Sequence, residues 1–285
     1  MTLPLDDLKI LDFSGHLPAP FATLYMADLG ADILKITSST RPDPISLLPP
    51  FLPGSQMSSV HAYVGRNKRS MALNLKDSRS REIVHRLIGE YDIVIEQFRP
   101  GVMARLGLDY ENLKKVNPAL IYCSVSSYGQ TGQKSFKGGH DLNFVARSGM
   151  LSYTGRKDSR PAPCGAPVAD LAGGTLSVIT GVLSAVIARI KTGEGQYIDI
   201  SLTDGSVVAL NSFSIAEYLA CGSIPGYESN LFNGGSLYDI YETKDGRYMS
   251  FCALEPHFFS AFCRTIGRPD LAYEQGMAPQ NPDEV

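Results

Sequence analysis

Cysteine is sparse in this sequence and nowhere paired. There are five in 285 residues, Cys123, Cys164, Cys221, Cys252 and Cys263, and none has Cys-x-x-Cys spacing. An odd, scattered set excludes a disulfide framework and a zinc site, and it fits a reducing cytosol. No metal site is expected. A basic surplus is also missing. The net charge is −3, which argues against a nucleic-acid partner. No uninterrupted apolar run reaches the roughly 18–20 residues of a membrane span. Met1 to Asp7 lacks the basic and apolar regions of a signal peptide. The expectation is a cytoplasmic protein with no membrane partner. A dinucleotide fingerprint is absent as well. Gly15-His16-Leu17-Pro18-Ala19-Pro20 has no G-x-G-x-x-G spacing, so NAD and FAD are set aside, and His16 reads as a structural turn residue.

What is present is an ordinary globular composition, 44% hydrophobic and 19% charged. Residues 8–13 read as a short strand, 21–29 as a helix ended by Gly30, and 32–36 as a second strand. That is a β-α-β unit, which implies a parallel sheet. The alternation continues. Ser78 to Tyr91 is an amphipathic helix with Ile83, Leu87 and Ile88 on one side, and 92–96 and 120–125 are buried-type strands. Ala172 to Ile190 is the most apolar helical stretch, and Val207 to Leu219 is also helical. The fold class expected is α/β, with a doubly wound, Rossmann-like large domain over residues 1–224. From about residue 225 the texture changes. Lys244-Asp245-Gly246-Arg247 between two apolar runs is a hairpin signal, so 225–285 read as a small α+β second domain.

Three segments place one ionisable side chain among glycine, proline or small apolar residues. They are Gly139-His140-Asp141, Asp170-Leu171-Ala172-Gly173-Gly174 and Ala253-Leu254-Glu255-Pro256. Each has a plain explanation in a cap or a turn, and Asp141 reads as a helix N-cap. Asp170 before a long apolar helix joins capping to chemistry. The helix start keeps a carboxylate ionised, and its free N–H groups can hold an oxyanion. Brought together, the three groups could take a proton from one face of a carbon and return it to the other.

Gly65-Arg66-Asn67-Lys68-Arg69 places three cations in a turn at a strand start, and either a phosphate site or a solvated turn produces that pattern. Gln97-Phe98-Arg99-Pro100 and Arg105 follow the strand that ends at Glu96, and ligands of doubly wound sheets sit at the carboxyl ends of strands.

Together these segments resemble the CaiB/BaiF family, which holds the family III CoA-transferases and the α-methylacyl-CoA racemases. The resemblance also runs through Ala27-Asp28-Leu29-Gly30-Ala31-Asp32, Asn67-Lys68-Arg69-Ser70 and Thr192-Gly193-Glu194-Gly195-Gln196. It implies that Asp170 is the shared catalytic aspartate. Gly139-His140-Asp141, the Glu-Pro segment at Glu255 and Gly234-Gly235 resemble the racemase branch. So do the intervals of 30 residues from His140 to Asp170 and 85 from Asp170 to Glu255. The resemblance further implies coenzyme A as part of the substrate, with no tightly bound cofactor. Arg66, Lys68, Gln97, Phe98 and Arg105 would lie along the CoA. Arg41 would replace the arginine that usually follows the second strand, where this chain has Thr37-Ser38-Ser39-Thr40. An interlocked homodimer is also implied.

The resemblance places a further segment after Val285, one that returns to the first domain, so the chain reads as a fragment or a shortened member. The expected activity is racemisation or epimerisation of 2-methylacyl-CoA by His140, Asp170 and Glu255. The alternatives are CoA transfer through an Asp170 anhydride, and a non-catalytic acyl-CoA-binding or partner subunit.

Overall fold

The computed structural model describes residues 2–38, 40–205, 212–223, 226–228, 232 and 237–272. Six parallel strands form its main sheet: β1 (Lys9–Phe13), β2 (Asp32–Thr37), β3 (Arg69–Ala72), β4 (Ile93–Glu96), β5 (Ile121–Ser126) and β6 (Tyr197–Ser201). Their order is β3-β2-β1-β4-β5-β6. The central strands β1 and β4 are rich in Ile, Leu and Val, and β4 and β5 are buried throughout. Such runs occur where helices cover both faces of a sheet. Strand order reverses between β1 and β4, which makes the crevice at their carboxyl ends the natural ligand position.

Helix α1 (Pro18–Asp28) follows β1 and begins with proline in its first turn, where the missing N–H costs nothing. Helix α2 is Ser59–Gly65, and α3 (Ser78–Ile88) is capped by Asp77, which accepts the Arg79 N–H at 3.0 Å. The buried residues of α3 are Val84 and Ile88, while Ile83 is exposed. The helix is amphipathic as expected, but its buried stripe is turned by one position. Two short helices, α4 (Val102–Leu106) and α5 (Tyr110–Leu113), lead to β5, and α6 spans Asp141–Arg147.

The long apolar helix opens with a π-type segment, Ala169–Leu176, and continues as α7 (Ser177–Thr192). From Ala169 to Thr192 it is long and apolar enough, by length and composition, to cross a membrane. This corrects the expectation that no segment reaches that size. In this unit the helix packs against α1, β5 and β6. It stops at Gly193, whose φ of 75° suits glycine. Gly195 crosses Leu120 so closely that any side chain would overlap that carbonyl. The Thr192-Gly193-Glu194-Gly195 motif is therefore a helix stop followed by a backbone crossing.

The chain divides into two compact units, residues 1–148 with 165–210, and residues 149–164 with 211–285. The second holds α8 (Ser212–Cys221), an antiparallel hairpin of β7 (Tyr238–Glu242) and β8 (Tyr248–Cys252), and α9 (Pro256–Thr265). Its own core gathers Leu237, Ala253, Phe259 and Cys263. The hairpin lies where its turn signal placed it. The division differs from the boundary expected at 224/225, because 149–164 is an excursion that joins the second unit. Arg156 there pairs with Asp239 at the start of the hairpin. A change of texture along the chain does not register such a return. Residues 207–211 of the expected 207–219 helix, and the Gly234-Gly235 pair, lie outside the described residues.

Candidate active site

The carboxyl end of β1 is fixed by a buried polar network. Asp12 is 0% exposed. It accepts the Ser14 N–H at 2.8 Å and the Thr23 hydroxyl at 2.6 Å, and Lys35 Nζ lies 3.1 Å away. Lys68 Nζ donates to the Pro20 carbonyl and to Thr23 Oγ1, and stands 3.7 Å from Asp12. Burial alone would raise the Asp12 pKa. The two ammonium groups and two hydroxyl donors overcome it and bring the carboxyl down to about 2. Burial presses Lys68 down to about 8 against the pull of Asp12.

Lys35 also donates to the Ser14 carbonyl, so the network grips the first residue of the turn into α1. Across the switch point, Gln97 Oε1 accepts the Ala19 N–H at 3.3 Å. The buried Glu96 accepts the Phe98 N–H at 2.7 Å, and burial lifts its carboxyl to about 7.

Next to this turn the starts of two further helices converge. Thr175 Oγ1 donates to the Pro18 carbonyl at 2.7 Å, and a Cβ on Gly174 would lie 2.8 Å from Pro18 Cβ. These contacts tie the Ala169–Leu176 segment to the start of α1. Asp170 sits in its first turn, half-buried, in the kind of π-type bulge that recurs at functional sites. Its N–H donates to Asp141 Oδ1 at 2.9 Å. Asp141 is thus the first residue of α6 and a brace for Asp170. His140 takes the N-cap position expected for Asp141, and its N–H donates to Asn143 Oδ1 at 3.0 Å. Gly139 is required here, since a Cβ would press on Phe144 at 2.7 Å.

The resulting pair is electrically coupled. Burial, then the negative charge of Asp141, raises the Asp170 carboxyl to about 6, and His140 pulls it the other way. A carboxyl poised there gives up and recovers a proton near neutral pH. The His140 imidazole is exposed.

The structure therefore brings His140 and Asp170 together although 30 residues separate them. Glu255 belongs to the second unit, exposed at the N-cap of α9 ahead of Pro256. Among the residues expected along CoA, Arg41, Arg66 and Arg105 are exposed. Arg66 stacks 4.6 Å over Tyr63 and pairs with Asp28. Phe98 packs against the sheet's core cluster, and Gln97 is engaged with α1. The Lys68 side chain is only 3% exposed, with its ammonium turned inward as a counter-ion to Asp12. A cation triplet in sequence looks the same whether its heads face solvent or an internal carboxylate.

Reading by residue type missed the Asp12–Lys35–Lys68 network and the left-handed backbone of His16, whose φ is 60°. A lysine three residues into β2 beside an aspartate in β1 was the available signal for the first.

This is a doubly wound α/β protein in which a histidine and an aspartate, His140 and Asp170, lie at converging helix starts near the switch point of its sheet. The family model CoA-transferase family III matches residues 5–284. The chain is 37% identical over 270 residues to acetyl-CoA:oxalate CoA-transferase of Acetobacter aceti, covering 94% of this chain and 68% of that protein. It is 34% identical over 266 residues to the alpha-methylacyl-CoA racemase of Homo sapiens, covering 93% and 65%. A CAIB/BAIF family protein from Brucella suis superposes with a TM-score of 0.83 at 32% identity, covering 95% of this chain and 72% of that one. The chain belongs to CoA-transferase family III. It spans about two thirds of the length of the two curated relatives.

Proposed function

We propose that this chain carries the acid/base site of an acyl-CoA racemase or epimerase acting on 2-methylacyl thioesters. The observation that carries the reading is the coupling of His140 to Asp170, with the aspartate lifted to about 6. In this scheme His140 exchanges the α-proton on one face of the substrate carbon and Asp170 exchanges it on the other. The positive end of the Asp170 helix favours the charge that develops on the enolate oxygen, while the Asp170 and Leu171 N–H groups themselves are given to Asp141 and the Pro167 carbonyl. The 34% identity to a racemase is in keeping with this. Glu255 enters as the partner of His140 through the resemblance of its Glu-Pro segment. The exposed Arg41, Arg66 and Arg105 are the candidates for CoA phosphates, with Gln97 and Phe98 as further contacts along the CoA, while Lys68 is held inward by Asp12. A homodimer, readable by analytical ultracentrifugation, completes the proposal.

Transfer of CoA between carboxylic acids is the second reading, favoured by the 37% identity to a CoA-transferase. There the Asp170 carboxylate attacks the thioester carbonyl, the C–S bond breaks and CoA thiolate leaves, giving an acyl-aspartyl anhydride. Incubation in D2O with a panel of 2-methylacyl-CoA esters separates the two. Racemisation places deuterium at the α-carbon and leaves Asp170 unmodified after hydroxylamine treatment. A hydroxamate at Asp170 without α-deuterium would replace the first reading with the second.

A further inference from the structure

Two carboxylates lie near the carboxyl ends of adjacent strands, and only one is neutralised. Asp12 of β1 has two lysines beside it. Glu96 ends β4, in register with Phe13 of β1 and Ser124 of β5, and is 3% exposed. Among the described residues the one charge acting on it is Asp199 of β6, which repels. The other titratable groups that feel it are Tyr122 and Cys123 of β5 and Tyr197 of β6. Each is held in its neutral form by burial first and, in part, by the Glu96 charge. A buried carboxyl without a counter-ion is costly to keep, so its contribution lies in the hydrogen bonds it makes.

Those bonds hold a turn. Glu96 Oε2 accepts the Phe98 N–H at 2.7 Å, and the Ser124 side chain bonds to the same carboxyl. The first bond closes a turn with Gln97 at its apex. Gln97 Oε1 accepts the Ala19 N–H at 3.3 Å and so reaches the start of α1. Arg99, one residue further, lies against Gly138, where an added Cβ would meet its guanidinium at 3.2 Å. Gly138 stands two residues before His140. One buried carboxyl therefore sets a segment that rests on both the β1–α1 turn and the loop leading to His140.

We propose that Glu96 is a positioning residue for coenzyme A binding, its buried carboxylate fixing the Gln97–Arg99 turn that presents Gln97, Phe98 and α4 to the ligand. This rests on the reading of Gln97, Phe98 and Arg105 as contacts along the CoA. Glu96 lies behind the turn and touches no reacting atom, so its removal acts on affinity and not on chemistry.

The test is calorimetric titration with free coenzyme A at pH 8, where the Glu96 carboxyl, lifted to about 7 by burial, is ionised. The proteins are the wild type, Glu96→Leu, Glu96→Met and Glu96→Gln. Leucine and methionine fill the space without an acceptor, and glutamine keeps one. Both apolar variants should raise Kd about tenfold, the weight of a hydrogen bond to a charged group, and glutamine should return it to within about threefold of the wild type. In α-deuterium exchange of a 2-methylacyl-CoA ester the change should fall on KM, with kcat kept. A further measurement needs no variant. Hydrogen exchange at the wild-type Phe98 amide should be slow, and slower still with coenzyme A added. Unchanged affinity in the apolar variants, a glutamine variant as weak as they are, kcat lost with Kd held, an unprotected Phe98 amide, or no binding of coenzyme A overturns the proposal. Coenzyme A affinity that depends on Glu96 in the stated order, with no α-exchange by the wild type, sinks the racemase reading and leaves Glu96 in place.

Discussion

Asp12 at the end of β1 and Asp170 ahead of α7 are both withdrawn from water, and they titrate in opposite directions. Asp12 is the more deeply buried, yet its carboxyl falls to about 2 while that of Asp170 rises to about 6. Lysines make the difference. Asp12 has Lys35 and Lys68 beside it, and Asp170 has the like charge of Asp141 and one imidazole. The same residue type thus serves as a fixed charge that holds a turn in one place and, in the proposed scheme, as a proton carrier in the other. Burial sets the cost of ionisation, and the neighbours decide whether that cost is met.

The contrast is sharpest in a comparison of removals. Asp170→Ala should reduce α-proton exchange by about 10²–10⁴-fold, the usual weight of one positioned acid or base, with the fold retained by circular dichroism. Asp12→Ala should act on stability instead. It strands the Lys68 ammonium and weakens the turn that leads to α1, for roughly 3–5 kcal/mol, seen as a lower midpoint in urea. A variant of Asp12 as stable as the wild type would break the distinction drawn here.

Smaller effects follow from the signs of the shifts. The folded pKa of Asp12 lies below its unfolded value. Its contribution to stability is present above about pH 4 and is lost as pH falls toward 2. The folded pKa of Asp170 lies above its unfolded value, so its ionisation weakens the fold as pH rises from about 4 through 6. Asp170→Asn should therefore stabilise the protein at pH 8 by roughly 1 kcal/mol, a figure reduced for the half-exposed position, and should do less at pH 4. Asp141→Asn removes the like charge and should move the acid limb of kcat/KM for exchange below the wild-type value near pH 6. The least consequential removal for the fold is Arg66→Ala. Its solvent-exposed pair with Asp28 should leave the midpoint of thermal melts unchanged within error.

The sheet was legible because several of its strands carry runs of Ile, Leu and Val followed by polar or glycine stops, as in β1 and β4. The hairpin was legible from Asp245-Gly246. The phase of α3 was not, since periodicity alone does not decide between Ile83 and Val84 as the buried member. His140, Asp170 and Gly174 stood out through motifs shared with a family, whereas the meeting of the two helix starts also depends on Thr175, which is unmarked in the sequence, and on Asp141, which reads as a helix N-cap. His16 was illegible for a different reason. A backbone angle is not written in a residue type, and histidine in a turn carries no mark of the left-handed conformation it adopts.

Deuterium wash-in at the α-carbon of a 2-methylacyl-CoA ester, followed by mass spectrometry in parallel for the wild type, His140→Ala and Asp170→Ala, bears most directly on the pairing at the two helix starts. The account predicts incorporation by the wild type and a loss of about a hundredfold or more in each variant. Full-rate incorporation by the Asp170→Ala protein would contradict it.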